Sequence, residues 1–70
     1  MMGIPPGLLG AVLSILGASP HPLRRRDILD ELERRGHRIS LAGLNRILQH
    51  CAQSGLTTEG PDGVKLRPRP

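Results

Sequence analysis

Two amides and a guanidinium lie within one helical turn of each other in the segment SLAGLNRILQHCAQSGL, which begins at Ser40 and ends at Leu56. Asn45 and Gln49 are four residues apart, so on a helix their side chains share a face with Arg46 beside them. An amide can donate and accept in one plane, as an adenine edge requires. A guanidinium can contact guanine O6 and N7 or a phosphate. These residue types therefore favour hydrogen bonding to a nucleic acid.

The same segment contains no carboxylate. No Asp or Glu lies between Arg34 and Thr58, and a surface that approaches phosphates has to avoid negative charge. Ala42, near the start of the segment, permits close approach to a base or contact with a thymine methyl group. The candidates for base-edge contact are therefore Ala42, Asn45, Arg46 and Gln49. The alternative is an exposed polar face that serves solubility alone.

Further cations flank this segment at positions suited to phosphate contact. Three Arg residues open the preceding segment RRRDILDELERRG, where they oppose the dipole of the helix they begin. Ser40 is a good N-cap, and the first N–H groups of its helix can hold a phosphate. The candidates for backbone contact are Arg24, Arg25, Arg38, Ser40, Lys65, Arg67 and Arg69. Glu59 and Asp62 argue against deep insertion of the intervening loop into a groove.

Three helices and a β-hairpin are needed to position these groups. Apolar periodicity predicts helices over about residues 7–16, 23–35 and 41–54. Gly17, Gly36 and Gly55 are the expected ends of the three helices. Alternating residues around the turn Gly60-Pro61-Asp62-Gly63 predict the hairpin, with Leu56 returning to the core and Leu23 adding a short strand. The predicted fold class is mainly α with a small β-hairpin, in which the hairpin forms a two- or three-stranded wing.

The 70 residues allow one domain, and they include no aromatic residue, so aliphatic side chains have to build the core. We expect an apolar arm over residues 1–6, a domain over 7–67 and a basic tail over 68–70. The first helix has no charged face, and a chain this short buries only about 60% of its unfolded surface. We therefore expect a homodimer formed through the first helix, with the contact candidates Ile4, Leu8, Leu9, Val12 and Ile15.

Composition argues against several other classes of protein. A single cysteine cannot form an internal disulfide and suits a reducing, cytoplasmic setting; Cys51 falls on the apolar side of its helix and is expected in the core. The three His are scattered, no carboxylate pair is expected beside a buried apolar pocket, and no phosphate-cradling loop of the G-x-x-x-x-G-K type occurs, so we expect no catalysis, metal or cofactor. The apolar N-terminal stretch lacks the positive flank of a signal peptide and is too short to span a membrane.

The chain resembles winged helix-turn-helix DNA-binding domains, and among them the N-terminal domain of PadR-like transcriptional regulators. The resemblance covers about residues 8–67 and rests on the segments LSILGASPH, ILDELERRG and ISLAGLNRILQHCAQSGL. It implies that the third helix reads duplex DNA and the wing contacts the backbone. PadR-like proteins usually carry an aromatic residue where this chain has Asn45. They also carry a C-terminal dimerisation helix, which this sequence lacks, and the first helix is our candidate to replace it in dimerisation.

Two functions are compatible with these features. The first is a dimeric transcription regulator that binds double-stranded DNA at a roughly twofold operator. The second is a winged-helix module for protein–protein interaction, an adaptor or subunit of a larger complex, because this fold does not by itself decide function. Attachment to a membrane through the first helix is a distant third possibility.

Overall fold

The computed structural model describes residues 6–67, which form three helices followed by a hairpin. The elements are α1 (Pro6–Ala18), α2 (Arg25–Arg34), α3 (Leu41–Gln53), β1 (Thr57–Gly60) and β2 (Gly63–Leu66). This order confirms the predicted fold class, a mainly helical domain with the topology of a winged helix-turn-helix. The first five residues of the predicted arm and the predicted tail, with candidates Ile4 and Arg69, lie outside the described residues. No helix within residues 6–67 is long and apolar enough to cross a membrane.

One aliphatic core lies where the three helices meet the hairpin. Each helix contributes one side, and β2 contributes a single valine. The side chains are branched aliphatics apart from one thiol, so the core is filled without any aromatic ring. Its buried members are Val12, Ile15, Leu16, Ile28, Leu32, Leu44, Ile47, Leu48, Cys51 and Val64.

The first helix turns its smallest residues outward. It runs through the predicted end at Gly17 and continues to Ala18. The outward positions, all exposed, are Gly7, Gly10, Ser14, Gly17 and Ala18. Because these side chains are small, the outward positions of this uncharged helix add little apolar surface, and the partly exposed leucines Leu8, Leu9 and Leu13 lie at its sides.

Burial within the protomer corrects part of the predicted dimer contact. Val12 and Ile15 are 0% and 3% exposed, so they pack inside their own domain and offer no surface to a second subunit. Leu8 and Leu9 are half-buried against the same core. The prediction went wrong because periodicity alone cannot tell which part of an all-apolar helix faces inward.

Both ends of α3 are capped as the sequence predicts. The Ser40 Oγ accepts from the Gly43 N–H at 3.0 Å. At the other end Gly55 has φ 75°, its N–H donates to the Ala52 carbonyl, and the Leu56 N–H donates to the Cys51 carbonyl at 2.8 Å. This pair of bonds is a Schellman cap, which needs a left-handed residue at the glycine position. The cap reverses the chain and leads it directly into β1.

A single bridge attaches the hairpin to the segment before α2. Leu23 and Val64 exchange two backbone hydrogen bonds, of 2.9 and 2.7 Å. The short third strand predicted at Leu23 is thus reduced to an isolated bridge beside a two-stranded hairpin, and α2 begins after it, at Arg25. The bridge places β2 beside the N-terminus of α2.

The inward face of β1 is the opposite of the one predicted. Thr57 is 5% exposed, whereas Leu56 is 40% exposed and does not return to the core. Leu56 is the last residue of the α3 cap, which sets the orientation of the strand that follows. In the antiparallel register Glu59 lies opposite the buried Val64, so these two residues share a face. Glu59 consequently lies on the side of the hairpin that faces α2, although its side chain remains 43% exposed.

Gly63 is required at its position for two reasons. Its φ is 132°, which L side chains rarely adopt, and a Cβ built there would lie 2.5 Å from the Leu23 carbonyl oxygen. Gly60, directly opposite across the hairpin, has no atom within 4 Å of an added Cβ. We predict that Gly63→Ala lowers the free energy of unfolding by about 2–4 kcal/mol, through backbone strain and steric overlap.

Chemical denaturation measures this change, and Gly60→Ala is the matched control, expected to alter stability by less than about 1 kcal/mol. Equal stabilities for the two variants would show that the Leu23–Val64 bridge is not formed as described.

Candidate nucleic-acid interface

The base-edge candidates share one uncovered side of α3. Leu44, Ile47 and Cys51 are 0–2% exposed and fix the rotation of the helix. On the other side all four candidates are exposed: Ala42, Asn45, Arg46 and Gln49. Neither Arg46 nor Gln49 makes a side-chain hydrogen bond or an ion pair with any other residue of the described range 6–67. Their polar groups are therefore available to a ligand.

Arg25 links this face to the hairpin. Its Nε donates to Asn45 Oδ1 at 2.7 Å. Its Nη2 donates to Glu59 Oε1 at 2.8 Å, and its Nη1 donates to Glu59 Oε2. One guanidinium at the start of α2 thus connects α3 with β1. We call the three side chains Arg25, Asn45 and Glu59 the Arg25 clamp.

The chemistry of arginine decides how the Asn45 amide is turned. A guanidinium carries five N–H donors and no acceptor, so the amide atom that faces Arg25 has to be the oxygen. A bidentate contact with adenine needs that oxygen together with the amide nitrogen. While the clamp is closed, one of the two lone pairs of that oxygen is already used by Arg25, so the predicted adenine contact of Asn45 would have to share the oxygen with the guanidinium.

The clamp also corrects the predicted role of Arg25. Three of its nitrogens donate within the protein, and Glu59 lies against its positive charge. Arg25 is thus a connecting residue rather than a cation free for a phosphate. The same contact gives Glu59 a function that the sequence did not reveal. The sequence offered one hint of this pair. Arg25 lies at a helix N-terminus, where a positive charge opposes the helix dipole, and Glu59 is an acid in the wing.

The other residues predicted to contact the DNA backbone differ in whether their polar groups are free to bind a phosphate. Arg24, Lys65 and Arg67 are exposed, and none of them forms an ion pair within the described residues. Arg38 is also exposed but lies 3.8 Å from a carboxylate oxygen of Glu33. Ser40 uses its Oγ as the cap of α3.

An open groove joins the wing cations to α3. It begins at the last turn of α3 and follows the hairpin, and its lining residues are Ala52, Thr57, Thr58, Glu59, Lys65 and Arg67. Among the residues that line this groove, Glu59 is the only acid, and its carboxylate forms an ion pair with Arg25. The groove therefore extends the acid-free α3 face toward Lys65 and Arg67.

The cysteine and histidine side chains form no site in the part of the chain that the structure describes. No group of three His, Cys, Asp or Glu residues between 6 and 67 is close enough to hold a metal ion. Cys51 is fully buried in the core, as predicted, whereas the neighbouring His50 is exposed. Burial raises the pKa of the Cys51 thiol, because the apolar surroundings disfavour the thiolate.

Comparison of the chain with protein-family models, curated proteins and solved structures found no match. The fold and the arrangement of side chains are therefore the basis for a functional assignment.

We predict that Cys51 is unreactive in the native protein. A raised pKa means that the reactive thiolate is scarce below that pKa, and burial blocks access in addition. A colorimetric disulfide reagent at pH 8 should modify the thiol only as fast as the domain unfolds, and at the free-cysteine rate in denaturant. A fast reaction in native buffer would contradict the packing of α3.

We predict that the Arg25–Glu59 pair stabilises the attachment of the hairpin. Both side chains are partly exposed, at 38% and 43%, so the coupling free energy should be modest, about 0.5–1 kcal/mol. A double-mutant cycle with Arg25→Ala and Glu59→Ala measures it. The Glu31–Arg34 pair within α2 is the control, expected at about 0.3–0.5 kcal/mol. A zero coupling for the first pair would contradict the prediction that this ion pair stabilises the attachment of the hairpin.

Proposed function

We propose that this chain is a small DNA-binding protein that reads duplex DNA with α3 and contacts the backbone with the hairpin. The observation that carries the proposal is the uncovered side of α3, on which amide and guanidinium groups stand without any carboxylate. A helix of this kind fits the major groove, where side chains discriminate base edges. The role we propose is transcription regulation in the cytoplasm, similar to that of PadR-like regulators.

Electrostatics support the proposal. The chain has a net charge of +4, and its exposed cations Lys65 and Arg67 flank the α3 face across the groove described above. Glu59, the nearest acid, is paired with Arg25 and so repels phosphates less than a free carboxylate would. Each cation that meets a phosphate releases a counterion, which would make binding dependent on salt.

We also propose that the protein forms a dimer through α1. Val12 and Ile15 are no longer part of the proposed contact, because they are buried in the core of their own domain. A twofold dimer would bind two half-sites about one helical turn of DNA apart. Leu8 and Leu9, which are only half-buried, are the described residues through which we propose the contact.

We predict separate effects for the two parts of the interface. Replacing Arg46 and Gln49 by Ala should remove the preference at the base pairs that these two residues contact, because each good base contact contributes about 1–3 kcal/mol of discrimination. Replacing Lys65 and Arg67 by Gln should weaken binding to all sequences alike, and should lower the slope of log K against log salt by about 1 per cation.

Selection of bound sequences from random duplexes, followed by anisotropy titrations at several salt concentrations, measures both effects. Arg34→Gln is the control, because Arg34 pairs with Glu31 on α2, outside the proposed interface. The proposal is wrong if the wild-type protein has no affinity for duplex DNA even at low salt.

A second candidate function is protein–protein interaction. Leu41 at the start of α3 is 51% exposed, beside Ala42, and a large apolar side chain in that position favours a protein partner. Leu41→Gln discriminates between the two functions: it should leave DNA affinity unchanged if α3 binds DNA through the groups above. A stoichiometric protein complex that Leu41→Gln disrupts and DNA does not compete for would favour the second function.

A further inference from the structure

We propose that the Arg25 clamp makes Asn45 a hydrogen-bond donor toward DNA, so that the base it contacts is guanine rather than adenine. This inference rests on the proposed function and adds to it the class of base edge that α3 recognises. Arg25 and Glu59 are positioning residues in this account, since they act on DNA only through Asn45.

The first step concerns the two polar atoms of the Asn45 side chain. Oδ1 accepts from Arg25 Nε at 2.7 Å. Nδ2 donates to no side chain or backbone group among residues 6–67, and Asn45 is exposed. The NH₂ group is therefore the polar end that remains to make a new hydrogen bond.

The second step concerns why the amide does not turn over. A flip would bring NH₂ against the guanidinium, and a donor would then face a donor. Glu59 accepts from both terminal nitrogens of Arg25 and so favours the position in which Nε faces Asn45. Charge-assisted bidentate pairs of this kind have fixed geometry. The orientation of Asn45 is consequently set by a carboxylate on another element, β1.

The third step concerns the base. In the major groove guanine presents two neighbouring acceptors, N7 and O6, whereas adenine presents the acceptor N7 beside the donor N6 amino group. At guanine the free NH₂ group of Asn45 meets acceptors alone, whereas at adenine the oxygen would have to accept a second hydrogen bond, from N6, beside the one from Arg25. An unrestrained Asn would show the reverse preference, because it pairs with adenine through both atoms.

Opening the clamp without changing the net charge tests this inference. The double variant Arg25→Met/Glu59→Gln removes one positive and one negative charge, so the electrostatic attraction to phosphates is preserved. The double variant Arg34→Met/Glu31→Gln makes the same two exchanges at the exposed pair on α2 and serves as the control. Asn45→Ala identifies the base pair that Asn45 contacts, as the position at which preference is lost.

Selection from random duplexes is carried out with all four proteins. We expect the wild type and the control to favour guanine over adenine at that position by about tenfold. The clamp variant should lose this preference or reverse it while retaining the other selected positions. An adenine preference in the wild type, or an unchanged preference in the clamp variant, would overturn the inference and leave DNA binding intact. No binding by the wild type would overturn both.

Hydrogen exchange of the Arg25 side chain tests the clamp without DNA. Its main comparison uses only the wild-type protein, so it does not depend on the folding of a variant. The Arg25 Nε–H of the wild-type protein should exchange with water at least tenfold more slowly than that of the exposed Arg26, because it is hydrogen-bonded to Asn45. The variant Asn45→Ala should remove the difference. Equal exchange of the two groups in the wild type would show that the amide of Asn45 is not restrained.

Discussion

Burial of one side of α3 fixes how that helix is rotated about its axis. Leu44, Ile47, Leu48 and Cys51 are at most 4% exposed and touch a core to which all three helices and β2 contribute. The direction of each side chain around a helix is fixed by its position in the sequence. When one side of α3 is packed in the core, the opposite side therefore has to face outward. The amide and guanidinium groups of that side reach solvent as a consequence of aliphatic packing. A change that rotated α3 would remove the interface even if every polar residue were kept.

The second constraint is the attachment of the hairpin. Besides the packing of Val64 in the core, the hairpin is attached by one backbone bridge, Leu23–Val64, and by the Arg25 clamp. The bridge is possible only because Gly63 has no Cβ where the Leu23 carbonyl approaches. The clamp then ties the same hairpin to the first half of α3. The wing and α3 therefore form one surface, and the acid nearest to that surface is paired with a cation.

Much of the fold was predictable from local sequence signals. Ser40 and Gly55 delimit α3 through cap chemistry that involves only neighbouring residues, and the Gly-Pro-Asp-Gly turn defines the hairpin. Two features were not predictable. The strand after the Schellman cap has the opposite inward face, so Thr57 is buried and Leu56 is not. The apolar arc of α1 is so wide that its pattern did not separate the buried Val12 and Ile15 from the half-buried Leu8 and Leu9.

The exposed side of α3 was also predicted, whereas the clamp was not. Arg25 is 20 residues from Asn45 and 34 from Glu59 in the chain, and only the packing of three elements brings them together. In the sequence each of the three residues looks like an ordinary polar surface residue. Their combination changes what Asn45 offers to a ligand, from two free polar atoms to a free NH₂ group beside an oxygen that already accepts from Arg25.

The most direct test of the account is an NMR titration of the ¹⁵N-labelled protein with duplex DNA at physiological salt. The account predicts that the largest shift changes fall on the amides of residues 41–50 and 64–67, with little change on the outward face of α1 around Gly10 and Ser14. Absence of any change, or changes confined to α1, would contradict the assignment of α3 as the surface that meets DNA.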